Sequence, residues 1–249
     1  MPSFSLRGKR ALVSGAGRGI GMAIAAGLAQ AGAEVTLIAR SHNEIKSVAD
    51  AITQSGGMAT ATELDVTNTS AVTDFFATQA AFHILVNNAG TNRPKPLSEV
   101  TEADYDAVLN LNLKSAYFMS QACTNKMISE GVSGSLLHIS SQMGHVGAAN
   151  RSLYCASKWA MEGMNKAFAL DLACHGIRSN TIAPTFIETP MSQPFLADEA
   201  FLQAVLQKIK LGRLGQVQDI MGAVVFLASD AASLVTGTSL VIDGGWTAE

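Results

Sequence analysis

The chain has 249 residues, 48% hydrophobic and 15% charged, with a formal net charge of −3. This composition is typical of a folded protein with a substantial core, and it gives no electrostatic reason to expect nucleic acid or a membrane as partner. No apolar run is long enough to cross a bilayer, and residues 1–10 contain no secretory segment. Since the three cysteines are far apart and the histidines lack metal-site spacing, we expect a reduced, cytoplasmic protein without a metal.

The first predicted elements are a short apolar strand over 10–14, a glycine-rich turn and a helix over 22–31. Glycines let the backbone approach a ligand, and the unpaired N–H groups of a helix N-terminus suit a pyrophosphate. The alternative is a tight turn with a structural role alone. The order strand, turn, helix therefore favours a dinucleotide site. Its predicted residues are Gly15, Arg18, Gly19, Ile20 and Gly21.

The second predicted strand, over 34–39, lacks at its end the acidic residue that would bind a ribose 2′-hydroxyl in dinucleotide folds. Ala39 stands there instead, and Arg40 follows. Because a guanidinium group binds phosphate in a bidentate way, Arg40 favours NADP(H), and NAD(H) remains possible. An ordinary solvated arginine is the alternative.

Two further strands are predicted over 58–64 and 82–87, and each is followed by residues that either line a nucleotide cleft or build turns. A long helical pattern then covers 101–127, with Thr101 as its N-cap. Asn112 lies inside this pattern, where asparagine is unfavourable, and this suggests a local role.

The fifth predicted strand, over 136–139, leads to Ser141 at the sheet edge where open α/β sheets bind ligands. Tyr154 and Lys158 are four residues apart in a predicted helix over 152–175, and so lie on one face, one turn apart. A neighbouring ammonium group is expected to lower the tyrosine pKa and make the phenol a general acid and base near neutral pH. Such a pair alone arises often by chance, and Ser141 and the glycine turn make it informative.

The chain ends with a strand over 177–183, an irregular stretch, a helix over 217–229 and a strand over 239–242. Strands and helices alternate throughout, which predicts an α/β fold: a Rossmann-type doubly wound parallel sheet of about seven strands. We expect a single domain over 1–249, with a cofactor-binding half over about 1–140 and a catalytic and substrate half over about 141–249. The interruption at 185–211 suggests a lid.

Over its whole length the chain resembles the classical short-chain dehydrogenase/reductase family, with its motifs in order. Residues 14–21 are similar to TGxxxGIG, with Ser14 for the threonine, and residues 88–90 match NNAG. The YxxxK pair follows the family serine at the usual distance of thirteen residues. After Pro184, Thr185 replaces the glycine of the family's N-x-I-x-P-G segment.

The resemblance implies an NAD(P)-dependent oxidoreductase that transfers hydride between nicotinamide and a carbonyl or alcohol carbon. Tyr154 would be the acid and base, Lys158 would lower its pKa and hold the nicotinamide ribose, Ser141 would bind the substrate oxygen and Asn112 would hold a water. A homotetramer built on the helices of 102–127 and 152–175 is also implied. The further cofactor residues that it implies are Asp65, Val66, Asn88, Ala89, Gly90, Tyr154, Lys158, Pro184, Ile187 and Thr189.

Polar residues around the expected pocket suit a small sugar, polyol or hydroxy-ketone as substrate. The candidates are Arg93, Ser141, Gln142, His145, Asn150, Arg151 and Tyr154. A 3-oxoacyl-carrier-protein reductase is the first alternative, although Val132 and His175 stand where such enzymes usually carry two basic residues. A dinucleotide-binding sensor without turnover is the second, although such relatives usually lack the tyrosine or the lysine.

Overall fold

The computed structural model describes residues 3–248, which form one parallel sheet of seven strands with helices on both faces. The strand order is β3-β2-β1-β4-β5-β6-β7. Strands are therefore added towards one edge of the sheet from β1 to β3 and towards the other edge from β4 to β7, as the predicted doubly wound fold requires. The strands are β1 (Arg10–Ser14), β2 (Glu34–Ala39), β3 (Met58–Glu63), β4 (Ile84–Asn87), β5 (Gly134–Ile139), β6 (Ile177–Pro184) and β7 (Ser239–Ile242).

Nine α-helices connect and cover the strands in the described part of the chain. They are α1 (Gly19–Gln30), α2 (His42–Gln54), α3 (Thr69–Thr78), α4 (Glu102–Leu109), α5 (Ser115–Ser129), α6 (Ser152–Leu172), α7 (Gln193–Leu196), α8 (Glu199–Lys208) and α9 (Val217–Ala228). Thr101 caps α4 through a reciprocal capping box with Asp104, as its position predicts. The predicted continuous helix over 101–127 is wrong in one respect, because a π-helical turn, Asn110–Lys114, separates α4 from α5.

The core lies on both faces of the sheet, because side chains alternate along each strand. In β1, Ala11 and Val13 pack into the cluster that includes Leu28 of α1 and Val224 of α9. Leu12 packs on the other face with the residues of α3 and α5. Burial on both sides explains the nearly continuous apolar runs of the central strands.

The segment after β6 is folded back onto the body of the protein. Phe186 stacks on Trp246 with ring centroids 5.8 Å apart and meets Phe201 of α8 edge-on at 5.6 Å. Val205 and Ile209 are buried. Val205 lies in α8 (Glu199–Lys208), and Ile209 is its C-cap residue.

The three cysteines are free. Within residues 3–248, no helix is long and apolar enough to cross a membrane. The same residues contain no group of three or more His, Cys, Asp or Glu side chains placed to hold a metal ion.

Candidate active site

A cavity of about 410 Å³ opens at the carboxyl ends of the strands. It lies at the junction of β1 and β4, where the order of the strands reverses. Of the predicted cofactor residues, all but one line it. These are Gly15, Arg18, Gly19, Ile20, Gly21, Arg40, Asp65, Val66, Asn88, Ala89, Gly90, Tyr154, Lys158, Pro184 and Thr189. Ile187 lines a smaller adjoining cavity instead.

The glycine turn is held against β4 by the residue that departs from the family pattern. The Ser14 hydroxyl accepts hydrogen bonds from the backbone N–H groups of Asn88 at 3.0 Å and Ala89 at 3.1 Å. The Asn88 side-chain amide donates to the Ser14 carbonyl at 2.9 Å and the Gly15 carbonyl at 3.1 Å. A Cβ on Gly21 would collide with the Gly15 carbonyl and the Asn88 amide, so this close packing requires glycine.

The lining of this larger cavity fits a dinucleotide. Gly15 and Gly19 have φ values of 63° and 56°, in the region that favours glycine, and they shape a turn that leads into the N-terminus of α1. Ser140 and Thr185 line the cavity, and their hydroxyls are buried without a hydrogen-bond partner in the described structure. Buried polar atoms without partners are costly, and a polar ligand would satisfy them.

At the other end of the cavity, Arg40 and Ser41 follow β2, and no acidic residue stands at Ala39. Burial alone would raise the pKa of Asp65, but hydrogen bonds from Thr67 and the nearby Arg40 charge hold it below its ordinary value. Ser41 precedes α2 and makes no side-chain capping hydrogen bond, so its hydroxyl is not used by the helix.

Glu44 also lines this end of the cavity, and the sequence analysis missed it. Its carboxylate lies 3.8 Å from the Arg18 guanidinium. Arg18 therefore offers less positive charge to a ligand than its position in the sequence suggests. Glu44 lies in the first turn of α2, where an acidic residue is favourable for the helix alone, so no sequence signal marked it.

Ser141 and Tyr154 line both cavities, and Lys158 lines the larger one. The Ser141 hydroxyl donates to the Gln142 side-chain oxygen at 2.7 Å and accepts from the Met143 N–H at 3.1 Å. The Lys158 ammonium group donates to the Ile139 carbonyl at 2.7 Å and lies 5.5 Å from the centroid of the Tyr154 ring. The predicted proximity of these three residues is thus present in the structure.

The expected effect of Lys158 on the Tyr154 pKa is wrong for this arrangement. Burial raises the pKa of the phenol, and hydrogen bonding to Ser141 opposes that rise without cancelling it. Burial also lowers the pKa of Lys158 to about 8, while the Glu162 charge opposes that shift. The physical reason is that the ammonium group bonds a main-chain carbonyl, so that desolvation dominates the titration of the phenol.

Asn112 lies in the π-helical turn and does not line either cavity. Its side-chain amide donates to the Thr91 carbonyl at 2.9 Å and to the Ser157 hydroxyl at 3.1 Å, and its oxygen accepts from the Thr91 N–H at 2.8 Å. Ser157 precedes Lys158 in α6. Asn112 therefore connects the loop after β4 to the helix turn that carries the lysine.

The smaller cavity, of about 130 Å³, adjoins the larger one and receives only part of the predicted substrate set. Ser141, Gln142, Arg151 and Tyr154 line it, whereas Arg93 and His145 do not. His145 bonds the Ser239 hydroxyl at 2.9 Å, and Asn150 is exposed with a φ of 59°. The predicted cofactor residues Ile20, Ile187 and Thr189 also line this smaller cavity. Lining residues that the sequence did not indicate are Asn92, Met143, Thr185, Phe186, Met191, Ser192 and Phe195.

Arg93 is directed away from the smaller cavity by a buried carboxylate. Its guanidinium lies 3.2 Å from Asp104, which also binds Lys95 at 2.6 Å and caps α4 with Thr101. Hydrogen bonds from Lys95 and Thr101 hold the pKa of Asp104 far below its ordinary value. Since this pairing joins residues ten or so apart across a turn, spacing alone did not reveal it.

The cavity, the glycine turn and the Ser-Tyr-Lys group together define a dinucleotide-dependent dehydrogenase of the Rossmann class. A family model described as enoyl-(acyl carrier protein) reductase matches residues 15–247. The chain belongs to the short-chain dehydrogenase/reductase family, and it is an NAD(P)-dependent oxidoreductase of that family.

Three relatives show where in this family the chain lies. It is 38% identical to gluconate 5-dehydrogenase of Gluconobacter oxydans, over 98% of this chain and 96% of that protein. It is 35% identical to L-xylulose reductase of Bos taurus, over 98% of both. A crystal structure of a candidate 2-deoxy-D-gluconate 3-dehydrogenase from Agrobacterium tumefaciens, with bound NADP, superposes with a TM-score of 0.95 at 43% identity and covers 99% of both chains.

Proposed function

We propose that this chain uses NADP(H) to interconvert the carbonyl and alcohol forms of a small sugar, polyol or hydroxy-ketone. The observation that carries the proposal is the shared wall of the two cavities, where Ser141 and Tyr154 line both. A cofactor in the larger cavity and a substrate in the smaller one would meet at these hydroxyls. The small volume of the second cavity, and the polar side chains of Asn92, Gln142 and Arg151 within its mostly apolar lining, favour a short hydroxylated substrate. Relatives named for gluconate and xylulose support the same class.

The proposed roles follow from what each group donates or accepts. When bound, the nicotinamide cofactor supplies or accepts the hydride. Tyr154 would give its proton to the substrate oxygen in reduction and take it back in oxidation. Ser141 would hold the same oxygen through its hydroxyl, and Lys158 would hold the ribose hydroxyls. Asn112 would keep the Lys158 turn in place through Ser157.

The preference for NADP(H) rests on the residues after β2. Arg40 would bind the 2′-phosphate, and Ala39 leaves no carboxylate to repel it. A hydrogen bond to a charged group contributes roughly 1.5–3 kcal/mol, or about one to two decades in affinity. The Agrobacterium structure with bound NADP supports this choice. Arg18 would add less, because Glu44 pairs with it.

The test is a panel of carbonyl substrates with both cofactors at one salt concentration. We expect the wild-type kcat/KM for NADPH to exceed that for NADH, and Arg40→Ala to weaken NADPH by about 10- to 100-fold more than NADH. Ala39→Asp should shift the preference towards NADH. Arg7→Ala serves as the matched control, since Arg7 is an exposed arginine before β1, at the opposite edge of the sheet. A wild-type ratio of one or less would contradict the cofactor assignment.

A 3-oxoacyl-carrier-protein reductase is the second candidate, because the matching family model is described by another reaction on carrier-protein substrates, enoyl reduction. The positions expected to present cations to an acidic carrier protein hold Val132 and the exposed His175. Neither is a permanent cation, so the sugar substrate is favoured. A higher kcat/KM for acetoacetyl-coenzyme A than for any sugar or hydroxy-ketone would reverse that order. Absence of turnover on the whole panel would favour the sensor.

We also propose that the single domain over 1–249 divides into a cofactor half and a substrate half near residue 140, and that 185–211 acts as a lid. A cytoplasmic homotetramer completes the proposal. The three free cysteines support a reducing location. Exposed apolar side chains on α5 and α6 support assembly through these helices.

A further inference from the structure

We propose that Arg151 binds the carboxylate of a sugar-acid substrate, so that the enzyme prefers keto- and hydroxy-acids of the gluconate type to neutral ketoses. This inference rests on the proposed function and narrows its substrate class. Some relatives are named for gluconate, an acid, and others for xylulose, a neutral ketose. The proposal makes Arg151 the side chain that distinguishes these two kinds of substrate.

Arg151 is a buried arginine at the wall of the smaller cavity. Only 8% of its surface is exposed. Its guanidinium lies over two rings of the segment after β6, 5.4 Å from the Phe195 centroid and 6.0 Å from the Phe201 centroid. One side-chain hydrogen bond is formed in the described structure, from Nη1 to the Asn150 carbonyl at 3.3 Å. Since a guanidinium carries five N–H donors, most of them are left for a ligand.

No carboxylate of the described chain neutralises this cation. The residues that line the smaller cavity include no aspartate or glutamate. The groups whose charge acts on Arg151 are Cys155 and Tyr154, and neither is a carboxylate. Arg93 is the opposite case, because Asp104 and its partners already satisfy it. Burying a cation without a partner is costly, and an anionic ligand would offset that cost.

The position of Arg151 relative to the reacting groups suits a sugar acid. Arg151 immediately precedes α6 and stands three residues before Tyr154, and both line the same cavity with Ser141. A substrate whose carbonyl lies at Ser141 and Tyr154 would therefore place another part of its short chain at the guanidinium. Guanidinium and carboxylate form paired, bidentate hydrogen bonds, which would fix both orientation and charge. Gln142 and Asn92, in the same lining, supply donors and acceptors for the hydroxyls between.

The experiment compares Arg151→Met and Arg151→Lys with wild type, using 5-keto-D-gluconate and L-xylulose with NADPH. We expect wild type to favour the keto-acid, and Arg151→Met to lower kcat/KM for it about 10- to 100-fold more than for xylulose. The ratio is the readout, because Arg151 also acts on Tyr154 and its loss could slow both substrates equally. Arg151→Lys should keep part of the preference, since lysine retains the charge but not the planar fork.

Two further variants make the result specific. Arg7→Met removes the same charge from an exposed site before β1 and should leave the ratio unchanged. Arg93→Met tests the other arginine near the site, and loss of the preference there but not in the Arg151 variants would overturn the proposal. If Arg151→Met does not fold, Arg151→Lys decides alone, because an unchanged ratio in it would count against a bidentate contact.

The outcomes distinguish failure of the carboxylate site from failure of the proposed sugar reductase function. If wild type reduces xylulose as well as or better than keto-gluconate, or if Arg151→Met leaves the ratio unchanged, the carboxylate site is overturned while the sugar reductase stands. If neither substrate class is turned over with NADPH, the proposed function fails and the carboxylate site fails with it.

Discussion

At the residue scale, both departures from the family pattern have a physical account. Ser14 uses its hydroxyl alone, as acceptor for the N–H groups of the two residues after β4 and as donor to the Val86 carbonyl at 3.3 Å, so the methyl group of a threonine is not needed for these bonds. Thr185 stands where the family has glycine. In the described chain the only non-glycine residue with positive φ is Asn150, so the backbone at Thr185 does not require glycine.

The pH dependence of turnover follows from Tyr154. Burial raises the pKa of the phenol, so at neutral pH it holds its proton and is ready for reduction. Oxidation requires the phenolate, and its kcat/KM should therefore rise as pH increases towards the raised pKa. Reduction should decline over the same alkaline range. Profiles measured in both directions would check this, and an oxidation rate that falls between pH 7 and pH 9 would contradict it.

Replacing the phenol tests the same residue directly. Tyr154→Phe removes the proton donor alone, so kcat should fall by roughly 10²–10⁴-fold while the Kd for NADPH stays close to that of wild type. Lys158→Ala should weaken both turnover and cofactor binding, because the proposed lysine contact is with the ribose. Fluorescence titration with NADPH separates the two effects. A Tyr154→Phe variant that keeps more than about a tenth of wild-type kcat would remove Tyr154 from the mechanism.

At the element scale, the sequence predicted most of the fold because local and global signals agree. Apolar strands, glycine turns and capped helices alternate in order, and each marks its own position. The break between α4 and α5 was not predicted as a π-helical turn, although Asn112 marked the place. Pairings such as Arg93 with Asp104 and Arg18 with Glu44 were missed as well, because they depend on how elements pack and not on periodicity.

The mobile element we expect is the segment over 188–211. Met191, Ser192 and Phe195 line the smaller cavity, and Phe195 lies against Arg151, so a bound substrate would contact this segment directly. Hydrogen exchange of peptides from 188–211 should slow when NADP and D-gluconate are added together, since closure buries the backbone. Peptides from the buried strand β1 serve as the internal control. Equal exchange with and without both ligands would mean that the segment is not a lid.

At the scale of the whole molecule, α6, which bears Tyr154 and Lys158, and α5 both have exposed apolar side chains. Tyr117 on α5 is 43% exposed, and Trp159 and Leu170 on α6 are 54% and 81% exposed. Trp159 is the residue after Lys158, so a neighbouring subunit packed on this face would support the catalytic helix from behind. Exposed apolar side chains of this kind are typical of an interface between protein chains.

Assembly through these two helices predicts that a double variant on α6 will not form the tetramer. Leu170→Glu combined with Trp159→Glu would place carboxylates in an apolar interface, where burying an unpaired charge costs about several kcal/mol. Light scattering coupled to gel filtration should show a tetramer for wild type and a smaller species for the double variant, with lower kcat because α6 bears Tyr154 and Lys158. Leu97→Glu is the matched control, since Leu97 is 79% exposed but lies outside both helices. A monomeric wild type, or a double variant with the mass of the control, would show that this face is not the interface.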